Sequence, residues 1–420
     1  MRYSVLFPKT KRSAPSGTEL KSTEFLYRAG YIDQLMAGVF SLLPLGWRVS
    51  EKVKQVIREE MDAIGGQELL MPSLQPKELW EETGRWESLT KGDIMYHLVD
   101  RSGRELGLPL TQEETALDLI RKHTSSYKDY PIYLYHFSTK FREEPRPRGG
   151  LLRVREFTMK DLYSAHTSKE DFDNFYEIVK DAYLKIFDKL GLAVKVVEAS
   201  GGVFTKEHTH EFQVLTDIGE DTVYFCQKCD FAQNKEIAEV AEGDKCPKCG
   251  GLVAVSRAVE VGNIFSFGSK YSKDMNVSYT DQDGQKKIPF FGSYGIGLGR
   301  VLAVIADVYA DDKGLAWPEV VAPFLVHIVS LNQENMTVRE TAAELEKKLV
   351  SLGVAVLYDD REESVGVKLA DADLIGNPWR VVVSERSIKS GGVEIKRRNS
   401  DQVTVVSIPE FLKKFSQTNL

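Results

Sequence analysis

The texture of the chain changes once along its length, and that change limits the folds open to it. Upstream of Pro318 and Pro323, short β-rich runs at 94–99, 132–140, 151–159, 194–198 and 221–225 are separated by turns and helices. Downstream, strand 324–331, helix 338–352, strand 354–358, helix 367–375 and strands 379–384 and 393–398 alternate regularly. Scattered strands with intervening turns predict an α+β domain on an antiparallel sheet, whereas strict alternation predicts βαβ units and an α/β module. The predicted division is therefore 1–320 and 321–420, with no internal repeat.

Two helices are legible upstream. Val49, Val53, Val56, Ile57, Met61 and Ile64 repeat at helical spacing before a Gly65-Gly66 stop, and a second helix runs from a Ser168 cap to Gly191 along a stripe that includes Phe172, Phe175, Val179 and Tyr183. The most apolar stretch, 31–47, is broken by Asp33, Gln34, Pro44 and Gly46, short of the roughly 20 apolar residues a membrane span needs. Residues 1–16 are basic and polar without the apolar core of a secretory signal. A cytoplasmic protein without a membrane partner is expected. The net charge of −7 gives the whole chain no pull toward a polyanion.

All four cysteines fall in two C-x-x-C pairs, Cys226 with Cys229 and Cys246 with Cys249, separated by 16 residues. That is too few for a disulfide framework, and the spacing is that of paired zinc knuckles. Four thiolates close a tetrahedral site, so the expected zinc is structural, within a ribbon-like insertion at 222–256.

The densest charge lies at 140–161. Lys140, Arg142, Arg146, Arg148, Arg153, Arg155 and Lys160 outnumber Glu143, Glu144, Glu156 and Asp161 by three, around an open loop containing Pro145, Pro147, Gly149 and Gly150. Arginines at strand ends could converge on a polyphosphate, because guanidinium matches phosphate oxygens bidentately. Alone, the segment would read as a solvated hairpin. The glycine-rich run 292–300 leads into a helix but ends in Arg300 where a dinucleotide fingerprint needs its third glycine.

Together these segments carry a resemblance. Phe141-Arg142-Glu143-Glu144 followed by Arg153-x-x-x-Phe157-x-x-x-Asp161 resembles the second signature of class II aminoacyl-tRNA synthetases, Leu298-Gly299-Arg300 the third, and Pro72 the first, which in that class builds the dimer interface. Arg28-Ala29-Gly30, Glu78-Leu79-Trp80, Gly84-Arg85-Trp86, Leu110-Thr111-Gln112-Glu113-Glu114, the run from Met159 to His166, His210-Glu211-Phe212-Gln213, Glu260-Val261-Gly262-Asn263-Ile264-Phe265 and Asp359-Asp360-Arg361 are similar to bacterial-type prolyl-tRNA synthetases. The likeness spans Leu26 to Arg398 in order.

The resemblance implies an ATP-dependent proline:tRNA ligase, acting in two steps through prolyl-adenylate, with L-proline, ATP and tRNA(Pro) as partners and a homodimer as the assembly. Arg142 and Arg300 would carry the catalytic charge. Arg142, Glu144, Arg153, Phe157, Gln213 and Arg300 would bind ATP with Mg2+. Thr111, Glu113, Arg142, Asp161, Tyr163, His166 and Ser293 would line the proline pocket. Arg361 and Lys368 would face the anticodon. Gln112 and Asn263 stand where the family usually has histidine, and Ser293 where it often has cysteine. Only about 45 residues separate 210–212 from 256–257, too few for the editing domain that bacterial-type members usually insert there. No self-editing is expected, and a separate clearing factor is implied. The rival readings are a sibling amino-acid specificity, a catalytically silent synthetase-like tRNA-binding or regulatory protein, and a zinc-ribbon nucleic-acid binder, which leaves most of the chain unexplained.

Overall fold

The computed structural model describes residues 1–92, 94–201 and 208–416, which divide into two compact units. The first to consider comprises Met36–Val39 and Lys54–Val304. Its centre is a nine-stranded sheet in the order His208–Leu215, Val194–Ser200, Ala232–Asn234, Asp221–Cys226, Val253–Ser266, Phe290–Gly297, Glu156–His166, Ile132–Phe141 and Gln67–Glu68, with His208–Leu215 also pairing to Val253–Ser266. Its pairs are antiparallel except the short contacts of Gln67–Glu68 with Ile132–Phe141 and of Gln233 with Glu198.

The Glu156–His166 strand shows how side-chain alternation sorts this sheet into two functional faces. Lys160 donates to the Tyr183 hydroxyl at 2.5 Å, and His166 Nδ1 lies 2.6 Å from Asp171 Oδ2, so both meet the Lys169–Lys189 helix. Phe157, Asp161 and Tyr163 take the opposite face. That corrects one expectation: His166 packs among Tyr133, Phe172 and Phe175 under the helix and does not line the proline pocket. The helix starts as predicted, with Ser168 Oγ accepting from the Asp171 amide at 3.1 Å. The strand expected at 151–159 begins instead at Glu156, because Gly149 and Gly150 adopt φ +65° and +61° and the chain is still turning through Leu152.

The other unit comprises Met1–Leu35, Phe40–Val53 and Ile305–Leu420. Its five-stranded sheet runs Val356–Asp359, Val326–Ser330, Trp379–Val383, Val393–Arg397, Val403–Val406, parallel over the first three strands and antiparallel beyond. Asn335 and Ser364 cap the helices Met336–Ser351 and Val365–Ile375 that make the crossovers. The division expected at residue 320 does not anticipate that the N-terminal residues pack with this module. The Tyr358 amide donates to Met1 O at 2.9 Å, Tyr31 OH donates to Ile375 O at 2.7 Å, and Trp317 Nε1 donates to Tyr31 OH at 2.8 Å. Among the described residues no helix is long and apolar enough to cross a membrane.

Candidate active site

Three neighbouring strands, Val253–Ser266, Phe290–Gly297 and Glu156–His166, carry a cavity of about 310 Å³ whose lining includes Arg142, Glu144, Arg153, Phe157, Glu220, Asp221, Glu260, Asn263 and Arg300. Gly295 belongs to its floor: a Cβ there would stand 2.9 Å from Asn263 Oδ1. Arg142 lies over the Phe157 ring at 5.1 Å, and its Nε, though buried, has no hydrogen-bond partner. Burial first, and then the like charge of Arg300, pulls the Arg142 guanidinium below its ordinary pKa. Such a group is stabilised by an anion. Arg300 is oriented by Leu152 O at 3.1 Å, Glu260 O at 3.1 Å and Glu260 Oε2 at 2.8 Å. Arg153 is held by Glu144 at 2.8 Å and Glu220 at 3.2 Å.

Gln213 is fully buried and does not line this cavity. Its amide donates to Asp221 at 3.0 Å and Glu211 at 2.8 Å, so it orients the wall and stands behind the ribose position expected for it. Glu211 is pushed up to about 8 by burial and then by Glu260.

Strand register links this cavity to a second group, since Tyr163 pairs with Ser293 and Asp161 with Gly295. Glu113 opens the Glu113–His123 helix, where its charge suits the helix N-terminus. Its Oε1 accepts from Thr111 at 2.5 Å and from Ser293 at 3.1 Å, and its Oε2 accepts from Arg85 at 3.1 Å. Arg85 also donates to Glu114 at 3.0 Å; burial alone would lower its pKa, but the two carboxylates outweigh that and raise it. Tyr163 OH accepts from the Gln112 amide at 3.1 Å.

Asp161 is the larger surprise. Lys140, fully buried, places Nζ 2.6 Å from Asp161 Oδ2, 2.7 Å from Gln112 Oε1 and 2.8 Å from Ser138 Oγ, with His136 Nε2 3.5 Å from the same carboxylate. Burial would raise the Asp161 pKa, but Lys140 and His136 outweigh it and hold the carboxyl well below the usual range. Lys140 is thus not a polyphosphate group of the hairpin, and the two pocket acids already have protein cations. His136, Ser138 and Lys140 were legible as alternate polar positions in the otherwise apolar run 132–141; Arg85 had no such local signal. The Gln112 amide, in the position where the family has histidine, donates to Pro72 O at 3.0 Å while its carbonyl takes Lys140.

The four cysteine Sγ atoms lie within 4.8 Å of one another, at 3.5 Å for Cys226–Cys249 and 3.6 Å for Cys229–Cys246. These separations are far beyond a disulfide bond and near those of thiolates around a tetrahedral zinc. Lys228 N donates to Cys226 Sγ at 3.3 Å.

The two residues expected at the anticodon are both turned inward. Arg361 is gripped by Asp359 at 2.7 Å and Asp371 at 2.8 Å, and Tyr3 covers its face at 3.8 Å. Lys368 is 1% exposed and donates to Ser330 O at 2.8 Å. Both therefore shape the turn; neither offers a free charge at its surface.

Residues 96–309 match the family described as tRNA synthetase class II core domain (G, H, P, S and T), and residues 325–418 match the family described as anticodon binding domain. A proline-tRNA ligase of Wolbachia from Drosophila simulans is 40% identical over 427 residues, covering 99% of this chain and all of the relative. One from Dehalococcoides mccartyi strain CBDB1 is 32% identical over 564 residues, covering all of this chain and 99% of the relative. A solved structure of Giardia lamblia prolyl-tRNA synthetase in complex with prolyl-adenylate superposes with a TM-score of 0.76 at 20% identity, over 92% of this chain and 73% of that one. A class II core, an anticodon-binding domain and relatives matched end to end are decisive together: the chain belongs to the prolyl-tRNA synthetase family.

Proposed function

We infer that the protein activates L-proline with ATP to prolyl-adenylate and transfers the prolyl group to tRNA(Pro). The observation that carries the site assignment is the Arg142–Arg300 pair: two cationic groups on one cavity, one with a buried donor lacking a partner. In the first step the proline carboxylate attacks the α-phosphate and pyrophosphate leaves, so two anions must meet before the barrier is crossed. Arg142 bridges them, and Arg300 with Arg153 takes the pyrophosphate end, the phosphates displacing the acids that now hold Arg153. Phe157 stacks on adenine and Glu144 accepts from its amino group. Asp221 and Glu260 supply the hard oxygen ligands suited to Mg2+, which neutralises charge on the phosphates.

Glu113 accepts from the prolyl ammonium, backed by Thr111, Ser293 and Arg85, while Asp161 and Tyr163 close the wall. Transfer to the terminal ribose needs position more than a protein nucleophile, because adenylate is already a good leaving group. The cysteine cluster binds one structural zinc, supported by its four-sulfur donor set and absence of an open position.

The Dehalococcoides alignment is more than a hundred positions longer than this chain, whereas the Wolbachia one is nearly its length. That supports a chain without the editing domain, dependent on a separate factor to clear mischarged tRNA, since a proline pocket cannot strongly reject alanine. Leu70 and Leu74, 79% and 58% exposed on either side of Pro72, support a homodimer through the first signature. A cytoplasmic location follows from the reaction. Amino-acid-dependent ATP–pyrophosphate exchange tests the reading. Proline should be the one strong substrate; a threonine signal would indicate a sibling specificity, and no exchange a silent homologue.

A further inference from the structure

Residues 1–12 carry Arg2, Lys9, Lys11 and Arg12 and no acid, on a chain of net charge −7. They are fastened to the turn after Val356–Asp359. Ser4 donates to Asp360 from its amide at 2.9 Å and its hydroxyl at 2.8 Å, Tyr3 lies against Arg361, and Thr10 Oγ1 donates to Asp371 at 2.7 Å. Lys9 directs its ammonium at the carbonyls of Tyr3, Ser4 and Leu6, at 2.6, 2.9 and 2.7 Å, and so curls the segment on itself. Held at the edge of that curl, Phe7 is 69% exposed.

A large ring in water on a pinned loop has an apolar cost with no intramolecular return, and its ordering cost is already met by Lys9 and Ser4. Its neighbours Lys11 and Arg12 are exposed, and the one ion pair of Lys11, with Asp33 at 3.9 Å, joins two side chains that are both more than half exposed and is easily exchanged. An exposed aromatic interleaved with cations is the arrangement that binds single-stranded nucleic acid, the ring stacking on a base and the cations meeting phosphate. The loop rides on the anticodon-binding module, at the turn whose own cations, Arg361 and Lys368, are committed to internal partners.

We propose that Phe7 is a stacking platform for an unpaired base of the tRNA anticodon loop, with Lys11 and Arg12 contacting the adjoining phosphates. The proposal rests on the tRNA-charging reading above. The basic surround favours RNA; a second copy of this net-acidic chain would meet Phe7 through apolar contact alone.

The test uses the full chain and a labelled anticodon stem-loop of tRNA(Pro). Phe7→Ala should raise Kd at least about fivefold, the lower end of base stacking on an aromatic ring. Phe7→Trp should restore binding and Phe7→Leu should not. Lys11→Ala with Arg12→Ala should lower the slope of log Kd against log salt by about 1. All four variants should keep wild-type proline-dependent pyrophosphate exchange, which also reports that they fold. A Phe7→Ala Kd within twofold of wild type would overturn the proposal. So would full activity of Phe7→Leu with dissociation of a dimer on Phe7→Ala in sedimentation, which would make the patch a subunit interface. Stem-loop binding is read directly, so failure of wild-type exchange would strike the parent reading and not this one.

Discussion

Replacing Lys140 by methionine should be the most damaging single change beneath the proline pocket. The side chains of Lys140 and Asp161 are 0% and 4% exposed, and the ammonium makes its three contacts at 2.6, 2.7 and 2.8 Å. Methionine keeps most of the stem but leaves Asp161 ionised in the interior with only His136, 3.5 Å away, to face it. Breaking a buried pair from one side costs about 3–5 kcal/mol. At about 2–4 °C per kcal/mol for a domain of this size, the melting point should fall by roughly 6–20 °C. The transition to follow by circular dichroism is the one that proline plus ATP moves upward. Adding Asp161→Asn removes the stranded charge, so the double variant should regain at least about 2 kcal/mol of the loss. The pH dependence has a definite sign. The Asp161 carboxyl is depressed in the folded protein, so its stabilisation is present above the ordinary carboxylate range and lost as pH falls through the folded value. The gap between wild type and Lys140→Met should therefore narrow in acid. A single variant melting within about 2 °C of wild type, or a double variant no better than the single, would refute the reasoning.

Arg85→Met removes the donor on Glu113 Oε2 and should raise KM for proline about ten- to hundredfold in pyrophosphate exchange, the range for a charged hydrogen bond, with KM for ATP unchanged; equal rises in both would count against it. Glu211, raised to about 8, binds a proton in the folded state that it lacks unfolded between pH 4.5 and 8, so wild-type stability should decline across that window; Glu211→Gln should flatten the decline, measured as melting point against pH in buffer without ATP. Metal analysis should find about one zinc per chain, and Cys226→Ser or a chelator should lower both zinc content and melting point while proline remains the preferred substrate; retained zinc after the substitution would exclude Cys226 as a ligand.

Much of the architecture was readable from short-range pattern. The Ser168-capped helix, the βαβ texture after residue 320 and the strands at 132 and 194 lie where periodicity and caps placed them, because each is specified by neighbours within a turn or two. Residues whose role depends on spacing along the chain, such as Arg142, Phe157, Arg300 and the four cysteines, came together as expected. His166 did not, because strand alternation puts it five residues from Asp161 and on the other face, a parity that a motif match does not check.

By itself the sequence determined the kinds of element, the two zinc-type knuckles and the family signatures, all of which are local in the chain. Tertiary structure alone decided where charge is neutralised. Arg85 meets Glu113 across 28 residues, Lys140 meets Gln112 across 28, and Arg361 is covered by a tyrosine 358 positions earlier. Such pairings leave no periodic trace, since a buried charge chooses its partner by desolvation and distance in space, and only the folded chain brings those two quantities into existence.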